Sequence, residues 1–231
     1  MRALRVFICD VRYQIKYGFY FLYTVIAAVY ICILLFLPAS VLRPAAALII
    51  LTDPAALGFF FVGGMVLLER GEGLHAYYSI LPVPVSEYIF AKTMSLSLIS
   101  TLVGMLIAGF ALGSQVNYIL LFFGLFLGAS VFTMLGLVVG TVARSVNHYF
   151  VIGVPVGVLL MLPAFITYLD IYHFSIEILP ATLLLRVLNG ALGLPLPHHP
   201  LFSLAGLLLW FIPAFALANS YFAKYIRKVG G

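Results

Sequence analysis

The side chains able to do chemistry in this 231-residue chain are few, and one stretch between two apolar runs holds an informative group of them. Charged residues make up 8% of the sequence, and the one long polar interruption between apolar stretches is the run Glu69-Arg-Gly-Glu-Gly-Leu-His-Ala-Tyr-Tyr-Ser-Ile-Leu-Pro-Val-Pro-Val-Ser-Glu-Tyr, followed four residues on by Lys92. Within it Leu74, Tyr77, Tyr78 and Leu81 fall at i, i+3, i+4 and i+7, one face of a two-turn amphipathic helix. Gly71 and Gly73 supply pliable backbone before it, and Pro82 and Pro84 end it. Ser86, followed by Glu87, has the type and place of an N-cap for the helix beyond. A short helix carrying two tyrosines suits insertion into a groove on a soluble partner, where aromatic anchors dominate the binding energy. The alternative is a helix lying on a membrane with its tyrosines among the headgroups.

Catalytic chemistry has little to work with. No Gly-x-x-x-x-Gly-Lys-Ser/Thr run occurs, so the chain has no P-loop to cradle nucleotide phosphates. No His-Glu-x-x-His occurs either, and His75, His148, His173, His198 and His199 lack carboxylates at metal-ligand spacing inside an apolar run. His198-His199, set between Pro197 and Pro200, reads as a surface loop. Cys9 and Cys32 fall on different predicted elements and form no disulfide. We expect no enzyme, no metal, no cofactor in this chain and no nucleic-acid partner.

The elements that hold the polar run are apolar: 65% of the residues are hydrophobic, far above a soluble domain, and bilayer is the solvent. About 20 apolar residues cross roughly 30 Å of hydrocarbon as a helix. Phe19 to Leu37, Ala45 to Leu68, Lys92 to Leu112, Tyr118 to Val142, Tyr149 to Leu169 and Leu201 to Ala223 meet that length. In the second run Asp53-Pro54 reads as an N-cap and first helical position, so that the span begins near Pro54 and Pro44 to Thr52 dips into the outer leaflet; a single helix kinked at Pro54 is the alternative. Asp170 to Pro200 is apolar in part, but it carries Arg186 and is broken by Pro180, Gly190, Gly193, Pro195 and Pro197. It reads as two short re-entrant helices on the outer side.

With six spans and the N-terminus inside, ten of the twelve basic residues (Arg2, Arg5, Arg12, Lys16, Arg70, Lys92, Arg144, Lys224, Arg227 and Lys228) are cytoplasmic, leaving Arg43 and Arg186 outside. Arg2, Arg5, Cys9, Arg12 and Lys16 line one face of the N-terminal segment and Leu4, Ile8, Val11 and Ile15 another, as in an interfacial helix facing anionic headgroups. A cleavable signal peptide is the weaker reading, because its apolar run is too long. Gly124, Gly128, Gly136 and Gly140, four apart, make one stripe of the fourth span for close helix packing within the chain or at a subunit interface. Gly153, Pro155 and Gly157 suggest a kink in the fifth. The expected architecture is all-α and polytopic: one domain over residues 1–231, with an interfacial helix, six transmembrane helices, a cytoplasmic coupling helix and outer re-entrant helices before the last span.

The run Glu69-Arg-Gly-Glu-Gly, the following Leu81-Pro-Val-Pro-Val-Ser-Glu-Tyr88 and Lys92 resemble the cytoplasmic loop of type-2 ATP-binding-cassette (ABC) transporter permeases. The layout resembles that family over the whole chain, most closely its small subunits for fluoroquinolone and related drug export. The extracellular domain of longer members is missing, which argues against polymer or large-lipid substrates. The resemblance implies a permease of the plasma (inner) membrane with both termini cytoplasmic. It would act with a second permease chain, as homodimer or heterodimer, among membrane lipids. A separate cytoplasmic ABC ATPase subunit would bind the ATP and Mg²⁺. Leu74, Tyr77, Tyr78 and Leu81 are then the docking anchors, Glu69, Arg70, Gly71 and Glu72 position the loop and its rim, and the region of Pro180 and Arg186 shapes the exit. A non-transporting scaffold or immunity protein, or a secondary transporter, are the competing expectations; the last would use an ionisable group at mid-membrane, for which Asp53 is the nearest candidate.

Overall fold

Glycine, proline and asparagine stand at most breaks between the apolar runs, and the runs themselves become helices. The computed structural model describes residues 2–53, 57–80, 83–167 and 174–230, and every regular element among them is helical. In chain order these are α1 (Arg2–Lys16), α2 (Phe19–Leu35), α3 (Ala39–Thr52), α4 (Gly58–Gly71), α5 (Leu74–Ile80), α6 (Val85–Leu112), a 3-10 turn (Gly113–Gln115), α7 (Tyr118–Val142), α8 (Val146–Ile166), α9 (Phe174–Glu177), α10 (Pro180–Ala191) and α11 (Pro200–Gly230). Leu81, Pro82, Pro54, Leu169, Asp170 and His173, named above, lie outside the described residues.

Among the described residues, four helical segments are long and apolar enough to cross a membrane: Val85–Gln115, Tyr118–Val142, Val146–Ile166 and Pro200–Lys228. A fifth comes from α1 and α2 if that bent pair is one span. The two helices meet at 65°, and the chain turns between them at Gly18, whose φ of +74° disfavours any side chain. Helix α1 has three faces where the sequence shows two. Leu4, Ile8 and Ile15 are exposed apolar residues, Arg5, Arg12 and Lys16 are exposed bases, and Asp10 and Gln14 are buried against the bundle.

The second expected span needs correction at its start. Asp53 lacks the extended backbone of an N-cap, and Pro54 lies outside the described residues. Asp53 sits at the C-terminal end of α3 with helical backbone angles, and its carboxylate is buried, accepting a hydrogen bond from Ser100 at 2.8 Å. The segment Ala39–Thr52 is a 14-residue helix in which Pro44 is accommodated, because its alanines and leucines find a buried face. At 14 residues each, α3 and α4 are about 21 Å long and neither crosses alone. The N-terminus of α6 also differs: the helix begins at Val85 with Pro84 as its extended cap residue, and Ser86 makes no cap. Proline's fixed φ suits that last non-helical position. Helix α8 keeps Pro155 and Pro163 within one helix.

Helix α7 lies at the centre, packed on α4, α6, α10 and α11. Its glycine stripe explains how so many helices approach it. A Cβ on Gly124 or Gly128 would stand 2.4 Å from Val187 or 2.7 Å from Leu184 of α10, and one on Gly136 would stand 2.3 Å from the Phe59 carbonyl oxygen of α4. A Cβ on Gly140 would stand 3.1 Å from the Gly63 Cα of α4. The stripe is therefore filled by the chain's own helices. Asn117 caps α7 by accepting from Leu120 N at 3.1 Å, and its own N–H donates to the Ala191 carbonyl at 2.8 Å, tying α7 to the end of α10.

Candidate functional site

The polar run of the sequence ends up at one end of the bundle, wrapped around a buried charge. Lys92 is 1% exposed, on the first turns of α6, and its Nζ donates to Asp10 Oδ1 of α1 at 2.6 Å and to Glu69 Oε1 of α4 at 2.7 Å. Each carboxylate has further donors. Asp10 Oδ2 accepts from Gln14 Nε2 at 2.8 Å and from Ser95, and Glu69 Oε2 accepts from the Tyr88 hydroxyl and faces His75 Nε2 at 3.3 Å. Glu69 stands one residue past the apolar run that ends at Leu68. Burial pushes its carboxyl up, but the Lys92 ammonium, with the hydrogen bonds from His75, Lys92 and Tyr88, overrides this and holds it down at about 2. A buried cation with two buried anions keeps its charges only because every oxygen is bonded in this way.

The chain of contacts continues outward. His75 Nδ1 is 2.9 Å from the Tyr225 hydroxyl of α11, and Arg70 Nε donates to that same oxygen at 2.9 Å. Arg70 only donates, so the Tyr225 hydroxyl accepts from it, while His75 bridges that hydroxyl through Nδ1 and donates from Nε2 to the Glu69 carboxylate. Arg70 also reaches the last turn of α7, donating to the carbonyls of Thr141 at 3.2 Å and of Ala143. It satisfies acceptors that a helix end leaves open. An unbroken polar path thus joins α7, α11, α5, α4, α6 and α1. Replacing Arg70 with Ala strands these carbonyls and Tyr225; we expect a loss of about 1–3 kcal/mol in thermal unfolding. Lys at this position should not restore it, because one ammonium cannot reproduce the guanidinium fork.

Helix α5 hangs from this path. It leaves α4 through Gly73, whose φ of +71° requires glycine or costs strain. His75 is its buried residue, Leu74 is half-buried, and Tyr78 is half-buried with its ring 4.9 Å from that of Tyr88. Tyr77 and Ile80 point away, 67% and 78% exposed. The expected stripe of Leu74, Tyr77, Tyr78 and Leu81 is thus not a single face: Tyr78 turns inward and Tyr77 outward. Glu69 is buried and Arg70 partly so, while Gly71 and Glu72 are exposed, with Glu72 3.9 Å from Lys16 of α1.

At the other end of the bundle, α10 is buried almost throughout, with Pro180 at its first position. Arg186, 7% exposed, donates from Nε to Glu177 Oε2 at 3.1 Å and from Nη2 to Oε1. The three consecutive phenylalanines diverge: Phe59 is wholly buried, Phe60 meets Tyr149 and Phe150 of α8, and Phe61 meets Phe19 and Tyr23 of α2.

The sequence profile of the Fluoroquinolones export permease protein family matches residues 1–229. The chain belongs to that family. Two relatives in Mycobacterium tuberculosis, from strains CDC 1551 / Oshkosh and ATCC 25618 / H37Rv, each bear the name fluoroquinolones export permease protein. Each is 29% identical over 136 residues, which cover 58% of this chain and 57% of the relative. The match therefore spans little more than half the length of the curated relatives. Together with four to five apolar helices of crossing length, the family makes this a multi-pass membrane protein.

Within this fluoroquinolones export permease family member, several residues of the polar path escape a reading by motif. Ser95 and Tyr225 belong to no local pattern, Tyr88 stands in the loop motif without any sign of its bond to Glu69, and His75 has no neighbour in sequence that announces its role. The one usable signal is the i, i+4 pair Asp10 and Gln14 on an otherwise basic and apolar helix.

Proposed function

We propose that the chain is the membrane subunit of an exporter of small amphipathic or hydrophobic compounds, fluoroquinolone-like drugs among them, driven by a separate cytoplasmic ABC ATPase that carries the ATP and Mg²⁺. The observation that carries the reading is the two-sidedness of α5. Its outer side offers Tyr77 and Ile80, and its inner side is tied through His75 to charges on α1, α4 and α6. A push on α5 is borne by several helices at once, as coupling to an ATPase stroke needs.

Six crossings follow if α3 and α4 act as one broken span beside α2, α6, α7, α8 and α11, with α1 in the membrane plane and α9 and α10 re-entrant. The basic end, holding α1, α5 and the end of α11, then faces the cytoplasm of the plasma (inner) membrane by the positive-inside rule, with both termini there. Two permease chains face each other, as homodimer or heterodimer, and the path for the substrate runs between them.

Co-purification of the chain with its ATPase tests this. Tyr77→Ala should lower ATPase retention at least tenfold and leave the thermal transition unchanged, since its ring is exposed and serves only the partner. Tyr78→Ala should instead lower stability, through the lost contact with Tyr88. Retained ATPase binding together with retained substrate-stimulated turnover in Tyr77→Ala would sink the assignment of α5.

A further inference from the structure

Between α9, α10 and the first half of α11 lies a cavity of about 670 Å³, within the size range of pockets that hold drug-sized ligands. It shares no residue with the polar path and lies at the opposite end of the bundle. Its walls are Leu183 of α10 and Phe202 and Trp210 of α11, with Glu177, His198 and Ser203 as its polar groups. Trp210 is held in place: its indole Nε1 donates to the Ile178 carbonyl at 2.8 Å, which makes the ring a fixed wall.

The carboxylate distinguishes this space from a groove shaped for an acyl chain. Glu177 lines the cavity while its oxygens accept from Arg186 Nε and Nη2. That pairing holds the group in position, and a carboxylate has about four lone-pair sites, so each oxygen retains capacity for another donor. An acyl chain has no donor to offer. A protonated amine has, and its bond to an ionised acceptor is charge-assisted. Flat aromatic rings suit Trp210 and Phe202, and a cation beside Trp210 gains further from the ring face.

We propose that this cavity binds a planar aromatic amine of drug size, with its ammonium on Glu177 and its rings against Trp210 and Phe202. The site deepens the export reading given above and rests on it for its biological sense. It places a substrate station beside the re-entrant helices and near the exit, open toward lipid past the exposed Phe202 and Leu209.

Trp210 is the single tryptophan of the chain, so its fluorescence reports on this cavity alone. The purified chain in lipid nanodiscs is titrated with ciprofloxacin, which carries a basic amine, and with its N-acetyl derivative, which does not. We expect saturable quenching of Trp210, with ciprofloxacin binding about tenfold tighter than the N-acetyl compound. Glu177→Gln should remove that difference. Ser203→Phe, which leaves the Glu177–Arg186 pair intact and fills the space, should abolish binding of both, and thermal transitions confirm that each variant is folded. Quenching that never saturates, equal affinity for the two compounds, or unchanged binding in Ser203→Phe overturns the proposal. So does quenching by bromine-labelled lipid chains that ciprofloxacin fails to relieve, which would show a lipid in residence. Export by the chain with its ATPase is read separately. Export that survives Ser203→Phe overturns the cavity alone, whereas a wild-type complex that exports nothing overturns the functional reading and leaves the titration standing.

Discussion

Lys92→Met should lower the stability of the folded chain by about 3–5 kcal/mol, the cost of removing one partner from a buried ion pair. The substitution keeps the volume and the apolar stem of the side chain. What it removes is the only cation that the described contacts give to both Asp10 and Glu69, at 2.6 and 2.7 Å. Two carboxylates would remain 8% and 4% exposed without their countercharge. Thermal unfolding in nanodiscs measures the loss, and limited proteolysis of α1 locates it, because Asp10 is what draws that helix onto α6. The triple variant Asp10→Asn/Glu69→Gln/Lys92→Met should recover much of the loss, since neutral buried groups cost less than unpaired charges. A Lys92→Met transition within 1 kcal/mol of wild type would show that the ion triad holds nothing together.

The second large effect is expected at Gly136. A Cβ there would stand 2.3 Å from the Phe59 carbonyl oxygen and 2.9 Å from its carbon, backbone atoms that cannot rotate away. Gly136→Val must therefore separate α4 from α7. Overpacking of this kind costs about 1–3 kcal/mol and more where the obstacle is main chain. Because α4 carries Glu69 and α7 supplies the carbonyls bound by Arg70, the displacement should also loosen α5, seen as faster amide hydrogen exchange over Leu74–Ile80. Gly71→Ala is the control, since nothing lies within 4 Å of its added methyl. Equal stability of Gly136→Val and Gly71→Ala would refute the close approach of α4 and α7.

Some of this architecture is legible one residue at a time. The run expected from Tyr118 to Val142 is α7 to the residue, and α8 and α11 stand where long apolar runs place them. A stretch of 20 or more apolar residues admits one economical structure in lipid, so local composition suffices. The four-residue spacing of Gly124, Gly128, Gly136 and Gly140 likewise announces close packing, and the structure supplies Val187, Leu184, Phe59 and Gly63 as what is packed. Local rules fail where a distant partner competes. Asp53 beside Pro54 has every local mark of a helix start, yet Ser100, 47 residues away, offers its carboxylate a bond inside the bundle, and the residue ends a helix instead. Tyr77 and Tyr78 are equivalent by spacing and differ because Tyr88 takes one of them.

By itself the sequence determined that this chain lives in lipid, that its long helices cross it, and that a polar run from Glu69 to Lys92 interrupts them. Those conclusions depend on transfer energies that each residue carries with it. Tertiary structure alone decided that Lys92 joins Asp10, 82 positions away, to Glu69, and that His75 and Tyr225 extend the link to Arg70 and the end of α7. A buried charge must find its partners wherever folding brings them, and the spacing of residues along a chain does not record which ones will meet.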